Sequence, residues 1–137
     1  MADEVRRITD VPGVAAPLGP YVHAVVAGRD VHVAGQVSIG PDGNTIGAGD
    51  PAAQARQAYR NLEAVLAAAG CGWEQVVKMT VYLTDMAHLP AASEARKEVM
   101  PPGSLPASTV VEVARLAYPD WLIEVEAVAR LGDGEPG

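Results

Sequence analysis

The sequence predicts an α+β fold in which a single β-sheet carries two helices on one of its faces. Three observations carry that reading. Residues 76–84 and 122–130 alternate with the two-residue period of a strand. Residues 51–69 instead repeat apolar side chains at helical spacing. The strands are apolar on one face and mixed on the other, so two helices have one face to cover.

Taken in order, "MADEVRR" (1–7) reads as a polar lead-in. "HAVVA" (23–27) and "DVHVAGQVS" (30–38) read as strands joined in a hairpin through "GRD", and "GPDGN" (40–44) marks another turn. The first helix has Asp50 as N-cap, Pro51 at its first position and Gly70 just past its end. Ala55, Ala58, Leu62, Val65 and Ala69 form its apolar stripe, with Gln57, Arg60, Asn61 and Glu63 turned away. In 76–84, Val77, Met79, Val81 and Leu83 share a face. A second helix covers about 90–100 and ends at "PPG". A strand is expected from Thr109 to Leu116, and in the last strand Ile123, Val125, Ala127 and Ala129 point one way. The order is β-β-β-α-β-α-β-β.

The mixed sheet face would hold His32, Gln36, Thr80, Tyr82, Glu112 and Glu124 beside Val110 and Leu122. Patches of that kind mark self-association or a ligand cleft, which points to a homo-oligomer. At 137 residues the chain suits one domain, taken as 1–131, with "GDGEPG" (132–137) as a disordered tail. The core is built from Ala and Val, since Phe is absent. One cysteine, Cys71, allows no internal disulfide. No leader or membrane span is read, so the expected location is cytoplasmic. The formal charge of −7 opposes binding to nucleic acid or to an anionic membrane. His23, His32 and Cys71 lack the neighbours of a metal site, and none is assigned.

Five stretches together resemble the RidA/YjgF family: "APLGPYVHAV" (16–25), "VAGQVS" (33–38), "QARQAYRNLEAVLAAAG" (54–70), "VVKMTVYLTDM" (76–86) and "LPASTVVEVARL…IEVEAVA" (105–129). The resemblance implies a chorismate-mutase-like mixed sheet with two helices on one face. It also implies a homotrimer whose sheets form an inner barrel, with three clefts between subunits. The expected activity is hydrolysis of small-molecule enamines or imines, such as 2-aminoacrylate, to a ketone and ammonia without metal or organic cofactor.

The resemblance also assigns site residues. Tyr21 matches the tyrosine of "GPY", Gly35 the glycine of "GQ", and Glu124 the last-strand carboxylate that handles water or protons. The substrate carboxylate is held in the family by an arginine after "PA", through two parallel hydrogen bonds. Here that position is Ser108. Ala34 stands for a frequent serine, Ser93 for a frequent asparagine and Val110 for a frequent cysteine. Arg96 and Arg115 are the candidates to replace the cation, Arg115 more readily serving an ion pair. Read without the family, Glu124 is a solvated strand carboxylate, Tyr21 a packing residue and Ser108 the entry to a strand.

Losing a bidentate clamp forfeits about 3 kcal/mol of substrate binding, so altered specificity is expected. Two alternatives remain. One is a tautomerase, dehydratase or cyclase of a specialised pathway. The other is a non-catalytic ligand-binding or interaction trimer. Ribonuclease activity would need a basic cleft that the sequence does not offer.

Overall fold

The computed structural model describes residues 4–132. Its elements are β1 (Val5–Ile8), β2 (Ala24–Ala27), β3 (Asp30–Gln36), α1 (Pro51–Ala68), β4 (Val76–Leu83), α2 (Leu89–Val99), β5 (Ala107–Glu112) and β6 (Ile123–Arg130). They follow the expected order. The first strand, however, falls within and just after the stretch read as a lead-in. Polar Arg6 and Arg7 hid it, because an edge strand needs only a partner, and β1 pairs with β2. "GPDGN" closes no strand pair beyond the isolated Ile39–Thr45 bridge. Apart from Gly132, the tail read at 132–137 lies outside the described residues.

One six-stranded sheet runs β1-β2-β3-β6-β4-β5. All pairings are antiparallel except β4 with β5, which α2 links as a crossover. The helices cover one sheet face. Ala55, Ala58, Leu62 and Val65 of α1 and Ala92 and Ala95 of α2 pack with Val31, Val33, Met79, Val81, Val125 and Ala127. The small helix side chains let the backbone approach the sheet closely and keep the core dense without phenylalanine.

Helix α1 starts and stops where its sequence says. The Asp50 carboxylate accepts a hydrogen bond from Ala53 N at 3.1 Å. At the other end Gly70 takes φ +92°. Cys71 N then donates to the Leu66 carbonyl at 2.8 Å and Gly70 N to the Ala67 carbonyl at 3.0 Å, a Schellman motif.

Two features depart from simple alternation. Between Val76 and Lys78 the β4–β6 register shifts, and Val77, expected inside, is 51% exposed. Strand β5 spans Ala107–Glu112 rather than 109–116, so Ser108 lies within it, not ahead of it. In the β4–β5 register Met79 faces Ser108, Val81 faces Val110 and Leu83 faces Glu112. Val110 and Glu112 therefore lie on the covered face, not on the mixed one. A two-residue period leaves the phase of a short strand open, and the start at Ala107 sets it.

Asn61, expected to turn outward, is buried. Its amide donates to the carbonyls of Val37 and Ile39, both at 2.9 Å, and ties the loop after β3 to α1. Gln54 does the same for the loop before β6, donating to the Asp120 carbonyl and accepting from Leu122 N. These clamps hold Val37, Ile39 and Trp121 as a second small core beside the open face of the sheet.

Candidate active site

That second core borders a cleft of about 360 Å³, lined in part by Tyr21, His23, Ala34, Gly35, Gln36 and Glu124. Three elements supply these groups. The loop before β2 turns at Gly19, where Tyr21 N donates to the Gly19 carbonyl at 2.8 Å. Leu18 N in turn donates to the Tyr21 hydroxyl at 3.4 Å, and the ring stays half exposed.

Strand β3 supplies Ala34, Gly35 and Gln36 through a bulge. Val33 faces Ala127 and Gln36 faces Val125, so β3 holds one residue more than β6 between those pairs. Strand β6 supplies Glu124, whose carboxylate lies against the Gly35 Cα. A methyl group built on Gly35 would overlap it. Glycine is required there by space, since its φ is unexceptional.

The half-buried Glu124 has its pKa raised above 4.5, first by burial and then by the nearby Glu126 carboxylate. Tyr82 faces Glu124 across β4–β6, with Glu126 near its hydroxyl. Burial and the two carboxylates raise the Tyr82 phenol.

The other four residues assigned to the site are held together elsewhere. Ser93, Arg96 and Val110 line a hollow of about 50 Å³ beside Tyr59. Arg96 Nη2 donates to Ser108 Oγ at 2.9 Å, and Arg96 Nε donates to the Tyr59 hydroxyl at 3.5 Å. Among the described residues no carboxylate pairs with Arg96. The guanidinium is held by two neutral hydroxyls, and most of its five N–H groups remain available. It also borders an open groove of about 550 Å³ shared with Lys97, Met100 and Leu105.

Arg115 borders a different surface hollow and has no carboxylate partner among the described residues. Among those residues no group of three or more His, Cys, Asp or Glu is placed to hold a metal ion.

Within one chain the assigned residues thus form two groups. Tyr21, Ala34, Gly35 and Glu124 share the first cleft, while Ser93, Arg96, Ser108 and Val110 sit together at the β5 edge under α2. Glu124 is on the open sheet face, opposite Tyr82, and Ser108 is on the covered face, opposite Met79.

Sequence reasoning missed two cleft residues, His23 and Gln36. His23 was weighed only as a metal ligand and set aside, and Gln36 was placed on the mixed face without a role. The extra residue in β3 pairs Gln36 with Val125, and its side chain is tucked against His23, 4% exposed. The "AGQ" glycine was the available signal, since an isolated glycine in a strand often marks a bulge.

Comparison with known proteins gives concordant results. The family described as Endoribonuclease L-PSP matches residues 13–131. The RutC family protein slr0709 of Synechocystis is 42% identical over 91% of this chain and 96% of its own length. The 2-iminobutanoate/2-iminopropanoate deaminase of Mus musculus is 36% identical over 96% of both chains. The solved YjgF gene product of E. coli superposes with a TM-score of 0.80 at 33% identity, covering 91% of this chain and 98% of its own. E. coli TdcF, solved with bound serine, gives a TM-score of 0.81 at 30% identity, covering 93% of this chain and 100% of its own.

Proposed function

Because the chain belongs to the RidA/YjgF/L-PSP family, also called the RutC family, we propose that it hydrolyses small enamines or imines to a ketone and ammonia. The reaction takes place in a cleft completed by a second subunit of a homotrimer. The observation that carries the specific form of this reading is the Arg96–Ser108 hydrogen bond at 2.9 Å. The guanidinium that the family places on the strand is here presented from α2 to the same strand position, unpaired with any described acid. It suits a substrate carboxylate, which accepts two parallel N–H bonds from such a fork.

The chemistry follows from Glu124. As a water oxygen bonds to the imine carbon, the Glu124 carboxylate takes a proton from that water. The carboxylic acid gives that proton to nitrogen, forming a carbinolamine. Glu124 then moves the hydroxyl proton to the amino group, the C–N bond breaks, and ammonia leaves as the C=O bond of the ketone forms. A group that both receives and gives a proton works best with a pKa near the ambient pH, and burial moves Glu124 in that direction. Tyr21, with its hydroxyl accepting from Leu18 N, keeps its own proton to donate toward the substrate.

Because Arg96 reaches in from α2 and opens on a groove with Met100 and Leu105, the anchored acid can carry a larger apolar substituent than 2-iminopropanoate. The two separated groups of site residues support the trimer. Each needs a counterpart that its own chain keeps on the far side of the sheet, and the open mixed face needs covering.

The test generates 2-aminoacrylate and a longer imino acid in situ and follows their decay. Arg96→Gln should lower kcat/KM by about 10- to 100-fold, as expected for a lost charged hydrogen-bonding anchor. The double variant Arg96→Gln/Ser108→Arg returns the guanidinium to the strand and should recover activity on the smaller substrate. Unchanged turnover in Arg96→Gln would remove Arg96 from the site. Binding without turnover in the wild type would favour the non-catalytic trimer.

A further inference from the structure

A chain of hydrogen bonds beside Glu124 fixes the direction of one polar group that the mechanism above does not use. His23 is buried, and its Nε2 lies 2.8 Å from the Ala15 carbonyl oxygen. A carbonyl only accepts, so Nε2 carries the ring proton and Nδ1 presents a lone pair. The partner of that lone pair is the Gln36 amide nitrogen at 3.3 Å. The same nitrogen donates to the Ala34 carbonyl at 3.1 Å.

Both amide hydrogens of Gln36 are thereby engaged. Turning the amide over would set its oxygen against two acceptors. Gln36 Oε1 therefore takes the remaining direction, where no described residue donates to it. It is also not among the described polar atoms sealed without a partner, a group that contains only His88 Nδ1. Gln36 borders the cleft, and Oε1 is the one polar atom of its side chain with no partner among the described residues.

We propose that Gln36, positioned by His23, recognises the nitrogen end of the ligand, selecting small acids that bear an N–H over isosteres whose atom at that point only accepts. The proposal rests on the deaminase reading and gives it a direction. An imine or enamine brings an N–H to Oε1. Hydrolysis replaces that nitrogen with a carbonyl oxygen, whose lone pairs face the lone pairs of Oε1. Substrate is held and ketone is released by the same atom.

The test uses oxamate and pyruvate, which match in shape and charge but differ in carrying –NH2 or –CH3. Titrated onto the full-length wild type, oxamate should bind about five- to tenfold more tightly, the worth of one hydrogen bond. Gln36→Met, which keeps length but offers only a weakly accepting sulfur, should bring the ratio close to one. A ratio measured within one protein is not moved by a general loss of stability.

In the ligand-free wild type, the ¹⁵N spectrum of His23 should show the Nε2–H tautomer. The Nδ1–H tautomer overturns the proposal, as does an equal ratio in wild type and Gln36→Met, or binding of neither compound. The imine-decay assay on the same wild type decides the deaminase reading separately. Turnover of imines with no preference for oxamate defeats only the role of Gln36.

Discussion

Glu124 is protonated more readily in the folded chain than in the unfolded one, because burial and Glu126 raise its pKa above 4.5. Between the unfolded and folded values the native state holds the extra proton. Stability therefore falls as pH rises through that window and levels off above it. Glu124→Gln removes both the charge and the titration. The variant should lose turnover yet melt at a higher temperature than wild type at pH 7, with the difference vanishing at pH 4. A parallel pair of melting curves at the two pH values would contradict the assigned shift. Gly35→Ala should displace the Glu124 side chain from Cγ outward and cost activity with little change in melting temperature, because the three atoms in its way belong to one side chain and none to backbone. Glu124 and Gly35 were legible through the family motif. Gln36 and Asn61 were not, because their directions depend on a bulge and on loop carbonyls that no local pattern encodes.

At the scale of elements, α1 was the most legible, since its cap, proline and terminal glycine are chemical signals at fixed positions. Gly70→Ala forces a β-carbon into φ +92° and should cost about 1 kcal/mol, seen as a drop of about 2–6 °C in melting temperature. Asn61→Ala should cost more, about 2–4 kcal/mol, because two buried carbonyls lose their donor. Equal melting temperatures for the two variants would mean that water replaces the amide. Strand β5 was least legible. Its residues are largely exposed at a sheet edge, so burial stamps little pattern on the sequence, and both its ends were read two to four residues late. The parallel partner β4 and the α2 crossover decide its place instead.

For the whole molecule, the separation of Glu124 from Arg96 by the sheet makes a definite demand on assembly. Sedimentation equilibrium at micromolar concentration should return about three times the 14.2 kDa chain mass. Mixing carries the sharper prediction. Glu124→Gln and Arg96→Gln trimers are each impaired, but subunits exchanged in equal amounts should regain about a quarter of wild-type activity, since one interface in four then unites two intact groups. No recovery after demonstrated exchange would place both residues in one chain's site. Five of the six strands, both helices and a sheet face covered by them followed from the sequence. Of the proposed trimer only an uncovered surface was legible, because symmetry is a property that one chain does not spell out.

The turn that ends α1 also gives the protein an internal clock. The single cysteine of the sequence, Cys71, lies buried at that turn, its N–H tied to Leu66. A thiol reagent can reach it only when the chain opens, so the labelling rate of unmodified protein reads opening directly. If the helix end frays alone, labelling will outrun global unfolding, and Gly70→Ala will accelerate it further. If the turn opens only with the sheet, the two rates will coincide, and a ligand that holds the cleft closed will slow both.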